Sequence, residues 1–132
     1  RCSNERLLSG LGLSYIDAVL ARRETLRDPA DIVSAALDGH DLASRRALAR
    51  FCSILGSVVG DAALIHGART VAIAGGIVPR FIPFLRASAF RERFLAKGRF
   101  ASYLESVSLH VITHDSPGLI GAAAALQQHL RR

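Results

Sequence analysis

The chain has 132 residues, 50% of them apolar and 21% charged, which excludes a disordered segment and fits one compact unit. Seventeen basic against eleven acidic residues give a net charge of +6, and neither Met nor Trp occurs. A translated protein starts with Met, whereas this one starts Arg1-Cys2-Ser3-Asn4-Glu5 without the look of a leader cleavage site; the expectation is a portion of a longer chain.

In chain order, Ser9-Gly10-Leu11-Gly12 reads as a loop ahead of a helix. That helix carries Leu13, Ile16 and Leu20 on one face, with Val19 beside them and Arg22-Arg23 in its last turn. Asp28 and Pro29 are the cap and first residue of a second helix that stops at Gly39. Asp41 opens the longest helix, expected to reach about Gly67 with Leu48, Phe51, Leu55, Val58, Ala62 and Ile65 on its core face. From Phe51 onward it reads as buried on most sides, and Gly56 and Gly60 leave a small-residue stripe for a close neighbour. No apolar stretch reaches the ~20 residues that cross a bilayer, because Asp61 and His66 interrupt the run from Phe51 to Gly67.

Thr70 to Ala74 is short and apolar, as a buried strand is. It runs into Gly75-Gly76 and a tight turn to a helix whose early residues include Pro79 and Pro83. An Arg-rich stretch with Phe90, Phe94 and Phe100 precedes a second strand between Val107 and Thr113. Asp115 or Ser116 then caps a last helix with Pro117 at its first position, running Leu119 to Leu130. Strand–turn–helix occurs twice, so the fold class is α/β, mostly helical, with two short parallel strands.

Gly75-Gly76 is the best chemical feature, because glycines after a strand let a ligand approach the backbone and the next helix start offers N–H groups to an anion. The bland reading is that any tight strand-to-helix turn favours Gly. By the same standard Ser9-Gly10-Leu11-Gly12 is a plain loop and Glu5 a solvated carboxylate. Asp115 is better explained as a cap than as half of a His114-Asp115 acid–base pair. His40, His66, His110 and His129 have no metal-ligand spacing, and the two cysteines form no framework. Cys52 sits in an apolar run, as a buried reduced thiol does, which fits a reducing, cytoplasmic compartment. All the cations but Lys97 are Arg, and they are spread along the chain instead of forming a nucleic-acid stripe.

The run Ile73-Ala74-Gly75-Gly76-Ile77-Val78-Pro79-Arg80-Phe81 resembles the adenosine motif of bacterial glucokinases of the proteobacterial type. Ser3-x-Glu5-Arg6-x-Leu8-Ser9-Gly10-x-Gly12-Leu13 is similar to the segment after that family's sugar site. Lys97-Gly98-Arg99-Phe100 matches a family tetrapeptide, and His114-Asp115-x-Pro117-Gly118-Leu119-x-Gly121 resembles the turn into its C-terminal helix. Position 11, often Pro in the family, is Leu here.

The resemblance implies an actin-like ATPase, ribonuclease H-like fold, with residues 1–132 as the C-terminal part of the large domain. It implies an ATP-dependent glucokinase that uses Mg²⁺, acts on glucose in the cytoplasm and forms a homodimer, with no nucleic acid and no membrane partner. Glu5 would contact glucose; Gly75, Gly76 and Ile77 would line the adenosine pocket, and Ser9 and Gly10 would lie on its nucleotide side. The family's phosphate loop Asp-x-Gly-Gly-Thr-Asn, its Asn-Asp pair with the catalytic base, its Gly-x-Gly-Thr-Gly turn and its Glu-x-Gly-His contacts do not occur in this sequence. The expectation is therefore that the 132 residues alone do not phosphorylate glucose. The alternative is a noncatalytic sugar- or nucleotide-sensing regulator derived from the same kinase fold.

Overall fold

A computed structural model describes residues 3–131; Cys2 lies outside the described residues. The chain begins with α1 (Asn4–Leu7) and α2 (Gly10–Ala21), each opened by a serine whose hydroxyl accepts a backbone N–H three residues on. Ser9-Gly10-Leu11-Gly12 is thus the first turn of α2 and not a loop. Gly12 is the reason the two helices can fold together, since a Cβ there would stand 2.4 Å from the Arg6 and Leu7 carbonyl oxygens. The buried face of α2 holds Leu13, Ser14, Ile16, Asp17 and Ala18, while Leu20 and Val19 are exposed. An acid takes the inner position expected of Leu20. Arg22, left-handed at φ 53°, terminates the helix, so the two arginines lie beyond its last turn.

Helix α3 (Pro29–Asp38) has the expected ends: the Asp28 carboxylate accepts the Ala30 N–H at 2.7 Å, and Gly39 closes it at φ 80°. A cap of this kind contributes about 1 kcal/mol. Asp41 caps α4 (Leu42–Ile65) through two backbone N–H groups, Ala43 and Ser44. Leu48, Phe51 and Leu55 are buried as expected. Beyond them the inner face shifts to Gly56, Gly60 and Ala63, leaving Ala62 exposed and Ile65 79% exposed. The shift follows from α6, whose backbone lies directly on the two glycines.

Strands β1 (Thr70–Ile73) and β2 (Ser108–Val111) pair in parallel, Thr70 opposite Ser108 and Ile73 opposite Val111. Their burial alternates between exposed and half-buried, so β1 is half-buried on one face and exposed on the other, not buried on both as expected. Between them come a 3-10 turn (Val78–Phe81), α5 (Ile82–Ala87), α6 (Phe90–Leu95), a second 3-10 turn (Gly98–Phe100) and α7 (Ala101–Glu105). Pro79 and Pro83 both fall at element starts, where a missing N–H costs nothing. Helix α8 (Pro117–Leu130) ends the described chain. Neither Asp115 nor Ser116 caps it by side chain; instead the Ser116 N–H donates to His114 Nδ1 at 3.0 Å.

The larger core joins α2, α3 and α4 to the Val78–Phe81 turn, α5 and α6, with Phe51 edge-on to Phe81 at 6.2 Å between ring centroids. A smaller core under the strands holds Ala63, Phe94, Leu104 and Val107. By length and composition α4 is apolar enough to cross a membrane, contrary to the sequence expectation. Its helical frame continues through Asp61, and its packing on α2, α3 and α6 makes it the central helix of the core.

Candidate functional site

Two of the expected site segments, far apart in sequence, meet at one cleft. Strand β1 ends at Ile73, and the chain turns through Gly75 and Gly76 into the Val78–Phe81 turn. Gly75 sits at φ 130°, a conformation side chains disfavour, so the turn itself requires glycine there. At Gly76 a Cβ would meet nothing within 4 Å and the backbone is not in that region. Neither packing nor conformation within the described residues demands glycine at 76. An open backbone of this kind is what a ligand that lies against the chain needs.

Gly76, Ile77 and Arg80 form one wall of a cleft of about 320 Å³; Gly10 and the start of α3, Asp28, Pro29, Ala30 and Val33, form the other. Gly10 fits against Pro29, whose Cγ would stand 3.2 Å from an added Cβ. Gly10, Gly76 and Ile77 are therefore brought together. Around the other side of the turn, Gly75, Gly76 and Arg80 line a second cleft with Thr113, His114, Asp115 and Pro117. Arg80 is exposed and borders both.

Glu5 and Ser9 lie elsewhere. They line a cleft of about 650 Å³ with Arg6, Leu7, Leu11 and Tyr15. Glu5 is exposed on the single turn of α1, and the Ser9 hydroxyl is committed to the Gly12 N–H at 3.1 Å. Ser9 thus faces the Glu5 side, while its neighbour Gly10 faces the glycine turn. Among the described residues no group of three or more His, Cys, Asp or Glu side chains is placed to hold a metal ion.

A charged cluster behind the first cleft is absent from the sequence reading. Asp17 of α2 is 1% exposed and faces Arg23 Nε at 3.5 Å and Arg27 Nη1 at 3.8 Å. Arg27 also donates to Asp41 Oδ2 at 3.0 Å and to Ser44 Oγ at 2.8 Å. The Ser44 hydroxyl, more than any other group, holds the Asp41 carboxyl down to about 2, aided by the Ser44 N–H, Arg27 and the Ala43 N–H against partial desolvation. The available signal was an acid on the apolar stripe of α2 followed by two arginines in the next connection. Cys52 is buried as expected, and that burial pushes its thiol up to about 11, so it is no nucleophile.

Comparison with known proteins gives one consistent result. The family profile described as Glucokinase matches residues 1–129. Glucokinase of Cupriavidus metallidurans is 49% identical over 98% of this chain, and glucokinase of Pectobacterium atrosepticum is 46% identical over 97%. The chain spans 40% and 41% of those two proteins. The crystal structure of a glucokinase from an Antarctic psychrotroph superposes with a TM-score of 0.84 at 36% identity, over 94% of this chain and 40% of that one. With a near-complete profile match, close relatives and a shared fold, the α/β architecture expected from the sequence is that of these enzymes, and the chain belongs to the glucokinase family.

Proposed function

We propose that this chain is the C-terminal part of the large domain of a cytoplasmic, homodimeric ATP-dependent glucokinase, which converts glucose and ATP to glucose 6-phosphate and ADP. The observation that carries the reading is the convergence of Gly10, Gly76 and Ile77 on one cleft from two distant segments, one of them open at Gly76 for no internal reason. In this reading Gly75, Gly76 and Ile77 line the adenosine pocket, Gly10 borders it, and Ser9 fixes the α2 start that presents Gly10. Glu5 accepts hydrogen bonds from glucose hydroxyls; an exposed carboxylate on its own cleft suits polyol recognition, since each charge-assisted bond is about twice as strong as a neutral one.

These residues bind and orient. The proton of the sugar 6-hydroxyl is taken by the Asp of the family's Asn-Asp pair, which residues 1–132 do not contain. No residue of this chain is assigned as a Mg²⁺ ligand; the ion would accompany ATP and offset the charge of its phosphates. Catalysis of phosphoryl transfer is largely positioning and charge stabilisation, so loss of a binding residue shows in a Michaelis constant.

The test uses the full-length enzyme. Gly76→Val is expected to raise the ATP KM while leaving the glucose KM unchanged. Glu5→Gln is expected to raise the glucose KM about thirty-fold, the equivalent of one charged hydrogen bond of ~2 kcal/mol. A Glu5→Gln enzyme with unchanged glucose KM and lost kcat overturns the assignment of Glu5. Equal loss of both substrates in Gly76→Val overturns the adenosine pocket.

A further inference from the structure

Arg27 does not line the Gly10–Gly76 cleft, yet it lies between the two elements that build one wall, hydrogen-bonded to α2 and immediately preceding α3. Its backbone carbonyl accepts the Ser14 hydroxyl of α2 at 2.7 Å. That hydroxyl also lies 3.4 Å from the carbonyl of Gly10, the residue at the corner of the cleft. Its guanidinium reaches the other way, to Asp41 and Ser44 at the start of α4. The Ser44 hydroxyl donates onward to Asp41 Oδ2 at 2.7 Å, so donor and acceptor hold each other in one geometry. The next three residues, Asp28, Pro29 and Ala30, are the cleft wall.

Asp17 makes this arrangement more than a surface ion pair. Both of its carboxylate oxygens are buried without a hydrogen-bond partner among the described residues. A buried charge in that state is costly, and a leucine would suit the packing of α2 better. What the carboxylate does supply is a buried partner for Arg23 and Arg27, both of which also face Asp41. Two acids, one from α2 and one ahead of α4, thus hold the connection between α2 and α3, and Pro29 limits how the chain can relax after it.

We infer that Arg27 is a positioning residue for the nucleotide: held between Asp17 and Asp41, it sets the Asp28–Pro29 wall opposite Gly76 at the spacing a nucleoside needs. The inference rests on the nucleotide-cleft reading above and assigns it a residue outside the cleft.

The experiment is steady-state kinetics of the full-length enzyme carrying Arg27→Met, Arg27→Lys, Asp41→Asn or Gly76→Val. Arg27→Met is expected to raise the ATP KM about ten-fold, with the glucose KM and the kcat at saturating ATP within about two-fold of the parent. Arg27→Lys keeps the charge between the two acids and is expected to return the ATP KM to within about three-fold. Asp41→Asn keeps the α4 cap and should give a smaller rise of about three-fold, so it decides the matter if Arg27→Met does not fold. An unchanged ATP KM in Arg27→Met, or in Asp41→Asn in its place, with a raised one in Gly76→Val overturns the inference and leaves the cleft reading standing. Unchanged values in both kinds of variant overturn the reading itself. An equal rise in both substrates' KM, or no recovery with Lys, means general loosening and overturns the positioning role.

Discussion

On α4, two glycines bring a neighbouring backbone into direct contact: an added Cβ would stand 2.2 Å from the Phe90 carbonyl oxygen at Gly56 and 2.6 Å from that of Phe94 at Gly60. Helix α8 is the opposite case. None of its residues is buried, and Leu119, Leu126 and Leu130 share one stripe, with Leu119 and Leu130 about three-quarters exposed. Both helices are apolar, so composition does not separate them. What separates them is shape. The glycine face of α4 admits only a close backbone and thereby selects α6, whereas the Ala-rich middle of α8 offers a smooth surface that nothing described covers.

The contrast is open to breaking from the α4 side first. Gly56→Val should have the largest effect, about 3 kcal/mol of lost stability, because the contact is with main chain that no side-chain rotation can clear. Urea unfolding of the 132-residue chain measures it, and a loss below ~1 kcal/mol would mean that α6 slides easily and the fit is loose. Next comes Lys97→Met. Lys97 is 15% exposed; its ammonium crosses Gly60 to donate to the Ser57 carbonyl at 3.0 Å and to pair with Asp61 at 2.6 Å. Removing it should cost about 2 kcal/mol by the same measurement, since the charged bond to the Ser57 carbonyl and the pair with the exposed Asp61 are lost but the stem's packing is kept. The family tetrapeptide that begins at Lys97 therefore has a structural reason in this chain: it staples the α6–α7 connection to α4.

These helix contacts also show what a sequence can carry. Asp28, Pro29, Gly39 and Asp41 marked helix ends correctly because a cap acts over two or three residues. Gly56 and Gly60 were legible as a stripe, and Gly75-Gly76 as a tight turn after a strand, for the same local reason. Ser9-Gly10-Leu11-Gly12 was not legible as helix, since two glycines lower its propensity and only tertiary packing explains them, Gly12 on α1 and Gly10 on Pro29. The far wall of the cleft, Asp28 and Pro29, looked like a helix start and nothing more. Its second role exists only once α3 lies beside the glycine turn. The burial of Asp17 was hidden likewise, because its partners Arg23 and Arg27 come from the following connection, whereas Arg23 read as a cation of the helix's last turn.

That buried cluster predicts a pH effect confined to the helical body. Asp41 titrates at about 2 in the folded chain against an ordinary value of 3.8, chiefly through the Ser44 hydroxyl. The folded state therefore binds this proton less readily than the unfolded one. The stability it contributes is complete above about pH 4 and is lost as the pH falls through about 2. Asp41→Asn keeps the capping oxygen but not the charge, so its stability relative to the parent should improve across that window. A constant difference between the two from pH 4 to pH 2 would remove Asp41 from the acid response.

The smallest effect expected is the most informative about α8. Leu126→Ser changes a large apolar residue in the middle of an otherwise apolar helix, which in α4 would cost several kcal/mol. In the 132-residue chain it should shift stability by less than about 0.5 kcal/mol, because the side chain stays 59% exposed in the folded state. It should also reduce self-association, since the stripe it interrupts is a contiguous exposed apolar surface. Sedimentation of parent and variant reads that second quantity independently of stability. A cost above ~1.5 kcal/mol would show that α8 is packed in solution, and the comparison with α4 would then rest on different partners instead of on packed against unpacked.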